Sequence, residues 1–83
     1  MNQRPRPKHT GEKLLAIRLK LGLSQTEMKK RLNFKGYYGR ISDYETGKRY
    51  PTVLTLLAYA RAGNVSLESL VDDSIALFGE SDD

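Results

Sequence analysis

Leu14, Ile17 and Leu21 recur at i, i+3 and i+7, a spacing that predicts a helix over about 11–21 with one apolar stripe. Thr10 stands where that helix needs an N-cap, and Gly22 where it stops. Arg18 falls on the same stripe and so requires a partner. A second helix is predicted from Ser24, whose spacing to Glu27 makes a Ser-x-x-Glu capping box, with Leu23 as the staple before it. Met28 and Leu32 give this short helix its apolar side. Asn33-Phe34-Lys35-Gly36 interrupts the pattern, Asn and Gly both being able to take a left-handed turn. Tyr37, Ile41 and Tyr44 then share one face of a third helix, read as Tyr37 to Glu45, with Gly47 as its stop.

Beyond the basic turn Lys48-Arg49-Tyr50-Pro51, Thr52 caps a fourth helix whose Val53, Leu56, Leu57 and Ala60 are expected to face the core, with Tyr59 and Arg61 elsewhere on it. Gly63-Asn64 ends it. Ser66 caps a fifth short helix carrying Leu67, Leu70 and Val71. No strand and no internal repeat is read. The pattern predicts an all-α fold, a compact bundle of about five short helices at 10–71. A flexible basic arm precedes it at 1–9, and an acidic tail at 72–83 carries Ile75, Leu77 and Phe78. Those three apolar side chains are expected to dock on the domain or on another chain.

Two short helices meeting at a small-residue turn have the shape that places the second in a DNA major groove. Charge supports that direction. The 83 residues carry a formal net charge of +4, and its distribution is uneven. Residues 1–65 hold 14 Lys and Arg against 4 acids, whereas 66–83 hold 6 acids and no Lys or Arg. A body this basic attracts polyanions. There are no cysteines, which excludes disulfide frameworks and thiolate metal sites, and no apolar run reaches the ~20 residues of a membrane span. A soluble, cytoplasmic chain is expected, with no membrane partner. The single histidine, His9, lies in the arm, and no P-loop, dinucleotide-binding glycine pattern or metal-ligand cluster is present. Enzymatic activity, a cofactor, a metal and a small-molecule ligand are therefore not expected.

The runs LKLGLSQTEMKKRL (19–32), ISDYETGKRYP (41–51), LLAYA (56–60) and NVSLESL (64–70) resemble the phage-repressor and Cro-type helix-turn-helix family, also called XRE-like. That resemblance implies a lambda-repressor-like bundle of about five helices binding operator DNA, commonly as a dimer, in a bacterial or phage setting. It also implies that Gln25 meets a backbone phosphate, and that Arg18 bonds Glu45 as a structural ion pair. The chain departs from the family pattern in one place. Phe34 to Ile41 spans two more residues than usual, so the turn before the third helix is longer and its start is not fixed by the pattern.

The helical step separates the side chains of the third helix by role. Tyr38, Gly39, Ser42 and Asp43 lie away from the expected core face near the helix start and are the candidates for base contacts. Asp43 has two readings: it accepts from a cytosine amino group, or it pairs with Arg40. Phosphate contacts are assigned to Ser24, Gln25, Lys35, Tyr37, Arg40, Thr46, Lys48 and Arg49. Gln25 gains support from the free amides and positive dipole at the start of a helix. Two functions remain open: a sequence-specific double-stranded DNA-binding regulator acting as a homodimer on a palindromic operator, or an antitoxin-like module that binds a partner protein through 72–83, with or without binding its own operator.

Overall fold

The computed structural model describes residues 6–37 and 39–78. Five helices follow in order: α1 (Thr10–Leu21), α2 (Gln25–Arg31), α3 (Arg40–Thr46), α4 (Val53–Gly63) and α5 (Leu67–Val71), with no strand among the described residues. Helix α1 is the central element, packing against α3, α4 and α5, while α2 lies on α3 and α4 on α5. The core draws Leu14 and Ile17 from α1, Met28 from α2, Ile41 and Tyr44 from α3, Leu56, Tyr59 and Ala60 from α4, and Leu70 from α5.

The caps read from the pattern form at three helices. The Ser24 hydroxyl accepts from the Glu27 N–H at 3.0 Å and the Ser24 N–H donates back to Glu27 Oε1 at 2.8 Å, a complete capping box. Thr52 and Ser66 accept from the N–H groups of Thr55 and Ser69 at 3.2 and 3.0 Å. Gly22 and Gly47 end α1 and α3 with φ of 72° and 81°, and Asn64 ends α4 at φ 55°.

Thr10 does not cap. It is the first residue of α1, the capping position falls on His9, and the His9 side chain makes no capping hydrogen bond. The buried Thr10 hydroxyl instead donates to the Leu70 carbonyl at 2.8 Å. The N–H groups of Lys8 and His9, just ahead of α1, donate to the Asp73 carboxylate at 2.8 and 3.0 Å. Lys13 completes the connection from the α1 side. Only 9% exposed, its ammonium donates to the carbonyls of Ser69, Asp72 and Ile75 at 2.7, 2.9 and 2.9 Å. The last turn of a helix leaves such carbonyls without intrahelical donors, and a cation suits the negative end of its dipole. Leu77 and Phe78 pack on the core, and the Lys20 ammonium lies 4.4 Å from the centre of the Phe78 ring. The described part of the tail thus docks on its own domain.

Helix α4 presents a different face from the expected one. Val53 is 65% exposed and Tyr59 is fully buried. Leu56, Tyr59, Ala60 and Gly63 face inward at i, i+3, i+4 and i+7, and a side chain at Gly63 would meet Ile17 at 3.0 Å. The large Tyr59 ring turns the stripe towards itself, and Val53 in the first turn is left at the edge.

Gly11 sets how closely α1 approaches the end of α3. A Cβ there would lie 2.7 Å from the Tyr44 carbonyl oxygen and 2.9 Å from that of Glu45, both backbone atoms. Gly→Ala inside a helix ordinarily stabilises by about 1 kcal/mol. At Gly11 the sign reverses, and Gly11→Ala costs about 1–3 kcal/mol through overpacking, measured by urea unfolding. A neutral or stabilising result removes the close-approach argument.

The Asp73 carboxyl is held below its ordinary value of 3.8, chiefly because the Lys8 and His9 N–H groups donate to it. A carboxyl depressed in the folded state binds fewer protons there than in the unfolded chain, so its stabilisation is present above pH 3.8 and is lost as pH falls through the folded value. The amide proton shifts of Lys8 and His9 are expected to titrate together in that acid range by NMR. Asp73→Asn should abolish the titration.

Candidate nucleic-acid interface

Two donors from α1 and one from α2 converge on Glu45, at the end of α3. Arg18 Nε and Nη2 donate to Glu45 Oε2 and Oε1 at 2.6 and 3.0 Å, and Gln25 Nε2 donates to Oε1 at 3.0 Å. Arg18 Nη1 donates to the Leu23 carbonyl at 3.0 Å, tying in the α1–α2 connection. The two side chains are only 13% and 4% exposed, a bidentate pair in a protected setting. The hydrogen bonds to Glu45 raise the Arg18 pKa further, so its charge is permanent. Beneath them Tyr59 has its phenol pushed above the ordinary range, first by burial and then by the Glu45 charge. It packs there as a neutral ring.

Helix α3 begins three residues later than the pattern predicted. The connection from α2 runs through Leu32–Gly39, with Asn33 left-handed at φ 56° and Gly36 not left-handed. Phe34 turns inward, edge-on to Tyr44 with ring centres 6.3 Å apart. It fills the side of α3 assigned to Tyr37, and Tyr37 lies outside the helix, 66% exposed. Its place on the core face is therefore corrected: the longer turn lets an earlier aromatic reach inward. Gly39 occupies the N-cap position with helical backbone and supplies no side-chain cap.

The predicted site residues do not form one cluster. Ser24 and Gln25 stand exposed at the start of α2, with one amide donor of Gln25 committed to Glu45. Lys35 is exposed in the long turn, where it lines a separate concavity with Lys29, Lys30, Asn33 and Phe34. Tyr37, Arg40, Asp43, Lys48 and Arg49 line a single polar cleft of about 610 Å³. Asp43 lies 3.7 Å from Arg49 Nε, an ion pair across the turn after α3 in place of the Arg40 pair that was one of its two readings. Among the described residues Arg40 makes no such pair, and its Nε is buried without an acceptor. Ser42 is half-buried on α3, and the exposed Thr46 donates its hydroxyl proton to the Ser42 carbonyl at 2.9 Å. Tyr38 lies outside the described residues.

Two lining residues had no assigned role. Arg6 belongs to the arm, yet its guanidinium sits 5.4 Å from the centre of the Tyr50 ring, and both line the cleft. The signal was present in the Arg-Pro repeat and in a tyrosine set inside a basic turn, but no local spacing joins residues so far apart.

Two short helices joined by a turn, the second held from behind and edged by cations, define a DNA-binding regulator of the helix-turn-helix class. The chain belongs to the Cro/repressor-type (XRE) helix-turn-helix family, whose model, described as Helix-turn-helix, matches residues 14–70. No curated protein matches the chain. Among the described residues no helix is long and apolar enough to cross a membrane.

Removing either member of the Arg18–Glu45 pair leaves a protected charge without its partner. Arg18→Met and Glu45→Gln are each expected to cost about 3–5 kcal/mol in chemical denaturation. Replacing both at once with apolar residues should cost less than the two single losses combined. Additive losses would show that the two residues act independently.

Proposed function

We propose that the protein is a sequence-specific regulator that binds a palindromic operator as a homodimer, with α3 in the major groove of each half-site. The observation that carries this reading is the placement of α3. Its buried end is locked by Glu45, while its start and outer face carry short polar groups beside a cationic cleft. Tyr38, Ser42 and Asp43 are the base-reading side chains, and Gly39 allows close backbone approach at the helix start. Asp43 suits a cytosine amino group, and Arg49 at 3.7 Å steadies it. Ser24, Gln25, Lys35, Tyr37, Arg40, Thr46, Lys48 and Arg49 position the protein on phosphates. The apolar tail residues favoured a protein-binding alternative, but Leu77 and Phe78 pack on their own core, which weakens it.

Selection from random duplex DNA at physiological salt tests the reading. The expected result is a two-fold-symmetric motif with half-sites about one helical turn apart, ~34 Å. Asp43→Ala should relax preference at one base pair per half-site, by about 1–3 kcal/mol, whereas Lys48→Gln should weaken all sequences alike. Weak, salt-sensitive binding without any motif would overturn sequence-specific recognition.

A further inference from the structure

An acidic segment beside a basic body ordinarily competes with phosphate for the same cations. Asp72 and Asp73, the first acids after α5, are committed differently. Both Asp73 oxygens accept backbone N–H groups, Oδ2 from Lys8 at 2.8 Å and Oδ1 from His9 at 3.0 Å. Asp72 serves its own segment, its Oδ1 accepting from the Ser74 N–H at 2.9 Å and the Ser74 hydroxyl at 2.7 Å. The ion pairs among the described residues lie elsewhere, so neither carboxylate neutralises the Arg6 or Lys8 side chain.

What the Asp73 bonds hold is the path of the arm. Lys8 and His9 stand just ahead of α1, and Arg6 lies two residues before Lys8. From there its guanidinium comes to 5.4 Å from the centre of the Tyr50 ring and lines the cleft beside α3. The Tyr50 hydroxyl lies 3.3 Å from Thr10 Oγ1. The Thr10 proton goes to the Leu70 carbonyl, so Tyr50 is the donor in that contact and its ring is anchored. Asp73 is itself held from both sides. Lys13 binds the Asp72 and Ile75 carbonyls at 2.9 Å each, and Leu77 and Phe78 pack on the core. A free arm loses conformational entropy when DNA orders it, whereas an arm held in place has lost it already on folding.

We propose that Asp73 is a positioning residue for DNA binding, which acts through the arm by holding Arg6 beside the α3 surface. The acidic tail then raises DNA affinity although its charge opposes it. This inference rests on the DNA-binding reading above and makes a prediction of opposite sign to simple electrostatics. Removing Asp73 takes the formal net charge from +4 to +5, which by charge alone tightens binding to a polyanion. Releasing the arm weakens it.

The test is a double-mutant cycle on the full chain, with affinity measured for the selected duplex. Asp73→Ala is expected to weaken binding by about tenfold, the order of the entropy of fixing one residue of backbone. On an Arg6→Gln background the same substitution should cause no further loss, because the arm then carries nothing to place. Amide NMR shifts of Lys8, His9 and Tyr50 should move in Asp73→Ala while those of the core helices stay. Unchanged or tighter binding by Asp73→Ala overturns the proposal, since charge alone would then be at work. An equal loss on both backgrounds also overturns it, because a purely structural role weakens binding whether or not Arg6 is present. A chain that binds no duplex at all fails the DNA reading and the proposal together, whereas wild-type binding that Asp73→Ala leaves intact fails the proposal alone. If Asp73→Ala does not fold, Asp73→Glu keeps the acceptor one methylene further out, and its smaller loss should likewise vanish with Arg6→Gln.

Discussion

Glu45 is where three helices are held by one carboxylate. Its two oxygens accept Arg18 from α1 and Gln25 from α2, and its backbone belongs to α3. Helices α2 and α3 are each 7 residues long, too short to persist alone in water. Packing on Met28, Ile41 and Tyr44 gives them burial, but burial alone permits small rotations and slips. A bidentate pair permits far less, because it is directional and sits where water cannot replace it. The close approach at Gly11, two turns before Arg18 on α1, acts on the same end of α3. Recognition by a short helix needs its outer face held in a fixed direction, and these contacts hold it from behind.

A second constraint joins the two ends of the described chain. Thr10 and Lys13 on α1 bind carbonyls at and beyond the end of α5, and Asp73 binds the backbone just before α1. These bonds let unsatisfied groups at one element's end satisfy those at another's. They also link the tail to the interface, since Arg6 follows from where Lys8 and His9 are fixed. The acidic tail is part of the support for a basic arm.

The helices, their polar caps and their glycine stops were legible because each is a local signal, carried within four residues by Ser24 and Glu27 or by Gly47. The Arg18–Glu45 pair was legible through family resemblance, since an arginine on an apolar stripe announces a partner without naming it. What escaped was set by contacts distant in sequence. Thr10 has the composition of a cap, yet its acceptor is 60 residues away. Lys13 reads as one more surface cation until its three carbonyls are brought together. Tyr37 and Phe34 exchanged roles because both are aromatic, and only the path of the longer turn decides which one reaches Tyr44. The start of α3, and with it the lead residues of the interface, moved for that reason.

The basic surplus is not spread evenly over the surface once these contacts are counted. Lys13 and Arg18 are absorbed into the fold, and Lys20 covers Phe78. Arg6, Arg40, Lys48 and Arg49 remain together beside α3. Asp43 stands among them, where a carboxylate weakens attraction to any phosphate that comes near. A surface selected only to hold polyanions would have no use for it. A carboxylate at the front of a recognition helix, steadied by Arg49 at 3.7 Å, accepts well from a cytosine amino group and is left unpaired opposite another base. On the proposed reading, the same side chain that lowers general affinity raises the cost of a wrong sequence, which is how a short helix gains discrimination as well as attraction.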